Sequence, residues 1–201
     1  MKAAGLEWST AAATMPGETE SGDRYWAGAV ANGMMFAVID GLGHGRAAAA
    51  VSDIAIATLE RHVGDPLTEL LRRCHEALRG TRGVVMSLAV FNTEDAMLTW
   101  IGVGNVEGTL LRRDAGLPSD KLLLRNGVVG IHLPTLRAGE LSVKPGDILT
   151  MMTDGATTNE PPLRASMDGR IESMANGILT SAYKGTDDAL VLVARYRGTQ
   201  P

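Results

Sequence analysis

Four acidic sites in this sequence share one local pattern, in which a carboxylate stands where an apolar run begins or ends. They are Asp40 after residues 34–39, Asp154 after 148–153, Asp187-Asp188 before 189–193, and Asp23 shortly before 25–30. Such runs predict buried strands, and if the strands are neighbours, their ends meet at one place. Carboxylates gathered there repel one another unless cations hold them. Because an all-oxygen donor set suits hard ions, the pattern predicts a Mg²⁺ or Mn²⁺ site.

Each piece of this pattern also has an ordinary structural interpretation. Asp-Gly is a common hairpin turn, and Asp187-Asp188 alone could be a solvated strand end. The joint occurrence favours a site, as does the glycine-rich segment Asp40-Gly41-Leu42-Gly43-His44-Gly45. Glycine directly after an aspartate lets its carbonyl approach a metal, because no Cβ stands in the way.

The elements that must position these residues follow from periodicity. Asn32-Gly33 between two apolar runs is a strong hairpin signal. Strands are expected at 5–12, 25–31, 34–39, 84–91, 97–103, 106–111, 148–153 and 189–196, and helices from Gly45 to about 63, at 67–78 and at about 169–182. Hairpins dominate and strict strand–helix alternation is absent. The predicted fold class is therefore α+β, with layered antiparallel sheets.

Length, net charge and cysteine content exclude several classes of protein. The chain has 201 residues, enough for one domain over residues 1–201 with a real core. Its net charge of −4 offers no basic surplus for duplex nucleic acid or an anionic membrane. The single cysteine, Cys74, excludes an internal disulfide and any cysteine-based metal site. The N-terminus lacks the pattern of a signal peptide, so a cytoplasmic location is expected.

Four motifs in order resemble the metal-dependent protein phosphatases (PPM, type 2C). They are Ser21-Gly22-Asp23, the segment 40–45 quoted above, Thr153-Asp154-Gly155 and Thr186-Asp187-Asp188-Ala189. The sequence is most similar to the bacterial branch of sporulation and general-stress phosphatases. Within that branch, a bare catalytic domain of this length is similar to the phosphatase that resets stressosome proteins.

The resemblance implies an αββα sandwich of two antiparallel sheets flanked by helices, with a two-metal site at one sheet edge. Asp40 would bridge both Mn²⁺ or Mg²⁺ ions, and Gly41 would offer its carbonyl to one of them. Asp154 and Asp187 would hold the other ion, and Asp23 would act near the first. Two such cations activate a water molecule that attacks phosphorus directly.

Several residues near the motifs have two interpretations. His44 would protonate the leaving serine or threonine oxygen, or would form only a local hydrogen bond. Arg24 and Arg46 would contact phosphate, neutralise nearby carboxylates or face solvent. Asp188 would support the ligands without being one. Leu42 stands where eukaryotic relatives often have histidine.

The resemblance also implies a substrate class. Phosphoserine or phosphothreonine on stressosome-type signalling proteins is expected, with no nucleic-acid or membrane partner and with a monomer as the favoured state. Targeting is expected from the catalytic domain's own loops at 157–167 or 117–139.

Two other functions remain open from the sequence. Residues 43–48 fit the G-x-G-x-x-A pattern of a nucleotide-binding loop. A repulsive Asp40 and the hairpins argue against that function. A non-catalytic binding module with a phosphatase-like fold is the third possibility, and the intact acidic motifs argue against it.

Overall fold

Two six-stranded sheets lie face to face, and helices cover their outer faces. The computed structural model describes residues 2–3, 5–156 and 167–198. The first sheet has the order β1-β2-β12-β11-β7-β8, and the second has β10-β6-β5-β4-β3 with β9 beside β6. The strands are β1 Lys2–Ala3, β2 Leu6–Ala13, β3 Asp23–Val30, β4 Gly33–Gly41, β5 Val84–Asn92, β6 Met97–Val103, β7 Glu107–Leu111, β8 Asp120–Lys121, β9 Leu124–Arg125, β10 Gly139–Ser142, β11 Ile148–Met152 and β12 Ala189–Tyr196.

Strand β4 shows why the central strands read as continuous apolar runs. Met34, Phe36 and Val38 face the core between the two sheets, whereas the alternate residues Met35 and Ile39 face the helices. Because successive side chains of a strand point to opposite faces, a strand covered on both sides needs apolar residues at every position. Strand β12 is also buried along all eight residues, and its one charged residue, Arg195, donates hydrogen bonds to Met167 O and Gly169 O.

In the described part of the chain, three helices complete the layers: α1 Gly45–Arg61, α2 Leu67–Ala77 and α3 Ile171–Ala182. Helices α1 and α2 pack on the second sheet, and α3 packs on the first. Cys74 lies on the buried face of α2. Burial raises the pKa of its thiol to about 12, as befits an unreactive core residue. Among the described residues, no helix is long and apolar enough to cross a membrane.

The predicted α+β sandwich is confirmed. All pairings between named strands are antiparallel except the short contact of β6 with β9. The dinucleotide-loop alternative for residues 43–48 is wrong, because that loop needs a strand–helix–parallel strand unit. Strand β4 is antiparallel to both of its neighbours, β3 and β5.

Element boundaries follow the sequence prediction closely, but four short strands were not predicted. These are β1, β8, β9 and β10, which have two to four residues each. Such short strands carry no readable alternation of polar and apolar residues, and their pairing depends on neighbours far away in the chain.

Candidate metal centre

A hairpin brings the first two acidic residues together. The two-residue turn at Ala31-Asn32 sets the register of β3 and β4, in which Asp23 and Asp40 are direct cross-strand partners. Asp40 is the eighth residue of β4, at the end where that strand leaves the core. Asp23, the first residue of β3, is 5% exposed. The predicted convergence of these two carboxylates therefore follows from one turn and one register.

The other sheet delivers the remaining carboxylates to the same place. Strands β11 and β12 are antiparallel partners, so the end of β11 lies beside the start of β12. Asp154 follows the first strand and Asp187 precedes the second. Both line a cavity of about 440 Å³ together with Asp40. One cavity therefore gathers acidic residues from both sheets.

Two of the carboxylates at this site, Asp40 and Asp23, have pKa values far from their ordinary range. Burial, together with repulsion by Asp23, Asp154, Asp187 and Asp188, raises the pKa of Asp40 from 3.8 to about 8. Burial also raises the pKa of Asp23 to about 7, against the hydrogen bond from Thr153, which lowers it. Among the described residues, no cation contributes to either shift, so Asp23 and Asp40 lack there the counter-charge that buried carboxylates normally have.

The donor chemistry fits a hard divalent cation, although the side chains are not arranged around one. In the parts of the chain that the structure describes, no group of three or more His, Cys, Asp or Glu side chains is placed to hold a metal ion. The hydrogen bonds give the reason. Thr153 Oγ1 donates to Asp23 at 2.7 Å, and Asn105 Nδ2 donates to Asp154 at 2.6 Å. These carboxylates would have to turn towards the cavity to bind an ion between them.

Asp188 holds the backbone next to the site in place. Its two carboxylate oxygens accept hydrogen bonds from the backbone N–H groups of Met15 and Gly22, at 2.8 and 2.6 Å. Those bonds tie the segment before Asp23 to the start of β12. The contacts agree with the supporting role that the sequence suggested for Asp188.

Sequence analysis missed two hydroxyl groups that hold the site. Thr153 bonds Asp23 and also accepts a hydrogen bond from Leu190 N at 2.8 Å, so it links strand ends of both sheets. Ser52, fully buried in α1, donates to Gly22 O at 2.6 Å. Thr153 had a signal, because it directly precedes a motif aspartate. Ser52 had none beyond a polar residue within an alanine-rich helix.

Gly41 is required by packing. A Cβ at this position would collide with the backbone of Ala48 in α1 and would lie 2.7 Å from Ser52 Oγ. The helix can approach the strand end this closely only because residue 41 has no side chain. Access to the Gly41 carbonyl, the reason given by the sequence, is a separate requirement that stays a prediction.

His44 lies outside the group of residues that line the cavity. Its Nδ1 is 2.5 Å from Glu18 Oε1, and its side chain is 56% exposed. Arg24 Nε bonds Asp53 at 2.8 Å, and Arg46 is exposed, 3.9 Å from Glu20. For all three residues the structure favours the local alternative over contact with substrate.

Comparison with known proteins identifies the family. A family model described as stage II sporulation protein E (SpoIIE) matches residues 31–197. The chain belongs to the SpoIIE family. The phosphoserine phosphatase RsbX of Bacillus subtilis (strain 168) is 31% identical over 185 residues, which cover 89% of each protein.

The folds of similar solved structures agree with membership of this family. One, described as "The bacterial stressosome: a modular system that has been adapted to control secondary messenger signaling", has a TM-score of 0.87 and 29% identity. The match covers 94% of this chain and 99% of the solved chain. RsbX in complex with magnesium has a TM-score of 0.83 and 21% identity, with 94% of each chain covered.

These findings confirm the expected enzyme class. This SpoIIE-family chain is a protein serine/threonine phosphatase, a hydrolase of the metal-dependent type. The expected Mg²⁺ or Mn²⁺ agrees with the magnesium found in RsbX. The possibility of a non-catalytic module has no support from these relatives.

Proposed function

We propose that residues 1–201 form one phosphatase domain that removes phosphate from serine or threonine of stressosome-type signalling proteins. One observation carries the proposal. Asp40, Asp154 and Asp187 line one cavity, with Asp23 opposite Asp40 in the hairpin register, and within the described residues no cation lowers the pKa of Asp23 or Asp40. A site built in this way gains most from bound metal ions, because they remove the repulsion that raises the carboxylate pKa values.

The metal ligands in this proposal are Asp40, Asp154, Asp187, the Gly41 carbonyl and Asp23. Asp40 would be the ligand shared by the two ions, because it lies opposite Asp23 in the hairpin register and lines the cavity with Asp154 and Asp187 of the other sheet. When bound, Mg²⁺ or Mn²⁺ supplies an activated water nucleophile and stabilises charge on the phosphoryl oxygens.

The chain's own contribution is orientation. Thr153 fixes one oxygen of Asp23, Asn105 fixes one oxygen of Asp154, and Asp188 fixes the backbone before Asp23. His44, proposed from sequence as the proton donor to the leaving oxygen, has Glu18 as its partner here. We therefore favour solvent as the source of that proton, and expect His44→Ala to retain most of the activity.

Loop 117–139 supports the substrate assignment. Its residues Asn126, Gly127 and Val128 line the same cavity as the carboxylates. Leu123 and Ile131 on this loop are 66% and 60% exposed. Apolar side chains exposed beside a reaction site are typical of a protein-binding surface. The other predicted targeting loop, 157–167, lies outside the described residues except for Met167.

RsbX, a phosphoserine phosphatase, and the stressosome structure support stressosome phosphoproteins as the partners, and we propose that the enzyme acts on them as a monomer.

The test is hydrolysis of p-nitrophenyl phosphate and of matched phosphoserine and phosphotyrosine proteins, with Mn²⁺, Mg²⁺ or EDTA. We expect turnover with either metal, none with EDTA and a preference for phosphoserine. Full activity in EDTA would refute the metal mechanism, and a preference for phosphotyrosine would refute the substrate class.

A further inference from the structure

Arg82, in the loop between α2 and β5, contacts two residues that line the acidic cavity, although it is not itself among the lining residues. Its Nη1 donates a hydrogen bond to Leu42 O at 3.0 Å. A Cβ added to Gly43 would lie 2.5 Å from the same Nη1, so the guanidinium covers the Gly43 backbone. Both Leu42 and Gly43 line the cavity together with Asp40. The guanidinium is therefore next to the proposed reaction site.

The backbone that carries Arg82 is held on both sides. Before it, Thr81 Oγ1 donates to Leu78 O at 2.6 Å and accepts from Gly83 N at 3.1 Å. After it, Gly83 O accepts from Leu42 N at 3.2 Å, and Val84 pairs with Val129. An exposed arginine on so constrained a loop loses less freedom on binding a ligand than one on a loose segment.

The charge of Arg82 is not used within the described part of the protein. Leu42 O is its one hydrogen-bond partner there, and no carboxylate forms an ion pair with it. By contrast, Arg24 pairs with Asp53 and Arg79 with Glu76. Arg82 is also absent from the causes that shift the pKa of Asp40, so it does not neutralise the acidic cluster.

We propose that Arg82 binds the phosphoryl group of the substrate and the phosphate product. This inference rests on the proposed function and adds a specific residue to it. A guanidinium presents several N–H donors in a planar fork that matches two phosphoryl oxygens. Arg82 retains such donors after its one described bond to Leu42, and it lies against Leu42 and Gly43, which line the cavity together with Asp40.

Three variants test the assignment: Arg82→Ala, Arg82→Lys and the control Arg79→Ala. Arg79 lies three residues earlier, is also exposed and pairs only with Glu76 among the described residues. The measurements are KM and kcat for p-nitrophenyl phosphate and the inhibition constant of inorganic phosphate. Calorimetric binding of inorganic phosphate to the Mn²⁺-loaded protein and the Mn²⁺ concentration for half-activation complete the set.

For Arg82→Ala we expect KM and the phosphate inhibition and dissociation constants to rise together, by about tenfold or more, because charge-assisted hydrogen bonds to phosphate are lost. Arg82→Lys should recover part of this loss, since lysine restores the charge without the fork. Arg79→Ala should match the wild type in every measurement. Half-activation by Mn²⁺ should be unchanged in all three variants.

Unchanged phosphate constants in Arg82→Ala would overturn the assignment. A loss of kcat or weaker Mn²⁺ activation without a change in phosphate affinity would also overturn it, because Arg82 would then only hold the Leu42 loop. Calorimetric binding of inorganic phosphate tests this inference independently of the proposed function, because it requires no turnover. A wild type that binds phosphate through Arg82 but hydrolyses nothing supports the site and refutes the proposed reaction.

Discussion

Two buried acidic regions of this protein, the single residue Asp147 and the pair Asp23 and Asp40, have opposite electrostatic surroundings. Asp147, in the turn before β11, is 2% exposed, and Arg112 lies 3.1 Å from its Oδ2. Backbone N–H groups of Arg113 and Lys144 donate to the same carboxylate at 2.8 and 3.0 Å. Asp23 and Asp40 have neighbours of like charge instead, and burial with this repulsion raises the pKa of each carboxyl.

This difference in surroundings distinguishes an aspartate that stabilises the fold from aspartates that would bind a metal ion. A buried carboxylate with a cation and two N–H donors is fully satisfied and holds its turn together. A buried cluster without a protein cation destabilises the fold when ionised, and gains stability by binding a cation from solution. The sequence singled out Asp40 as a metal ligand and did not single out Asp147, and the surroundings of the two carboxylates are consistent with that choice.

Asp40→Asn should produce the largest effect on function. The change keeps the shape of the side chain but removes the charge of the proposed bridging ligand. We expect turnover of p-nitrophenyl phosphate with Mn²⁺ to fall by about a thousandfold or more, because a water nucleophile loses its activation. The stabilisation by Mn²⁺ in thermal melts should shrink as well. Intact hydrolysis in this variant would make Asp40 a turn residue.

Asp147→Asn should show the reverse pattern. Arg112 would lose its buried partner, although Asp120 remains 2.6 Å away from it. We expect the free energy of unfolding to fall by about 3 kcal/mol, with kcat and Mn²⁺ activation retained at temperatures where the variant is folded. Urea unfolding and the phosphatase assay measure both. Loss of activity in a folded Asp147→Asn protein would remove the distinction between the two acidic regions.

Thr153→Val tests the support beneath Asp23. The substitution removes the hydroxyl that donates to Asp23 and leaves Leu190 N without its acceptor. We expect a destabilisation of about 2 kcal/mol, from the unsatisfied buried N–H and carboxylate. Because the lost hydrogen bond lowered the pKa of Asp23, the acidic limb of the activity profile should move to higher pH. Thr153→Ser, which keeps the hydroxyl, should restore the wild-type profile.

The metal-free protein should become less stable as pH rises from about 4 to about 8. The folded-state pKa values of Asp23 and Asp40 lie at about 7 and 8, above their ordinary 3.8. The folded state therefore binds more protons than the unfolded state in this interval, and stability falls with pH. At pH 8 in EDTA, Asp40→Asn should be more stable than the wild type by about 1 kcal/mol. Equal stability of the two proteins at pH 8 would contradict the repulsion.

The features that could be predicted from the sequence are those whose signal lies within a short segment of the chain. The β3–β4 hairpin was readable because Asn32-Gly33 sits between two apolar runs, and the acidic motifs marked the strand ends beside the cavity. The pairing of β12 with β2 has no local signal, since it joins residues more than 170 positions apart. The same is true of Ser52 on Gly22 and of Arg82 on Leu42, which are contacts made only after the layers have packed.

The position of β12 also sets an order of events during synthesis. This strand follows all the others in the chain, yet it lies in the interior of its sheet, between β2 and β11. Until residues 187–196 leave the ribosome, β2 has no partner on that side, and the cavity lacks Asp187. The emerging chain can form the β3–β4–β5 layer early, but the phosphatase site closes last. A copy without residues 187–196 would lack Asp187 in the cavity and would leave the facing edges of β2 and β11 unpaired, and such edges can pair with other chains.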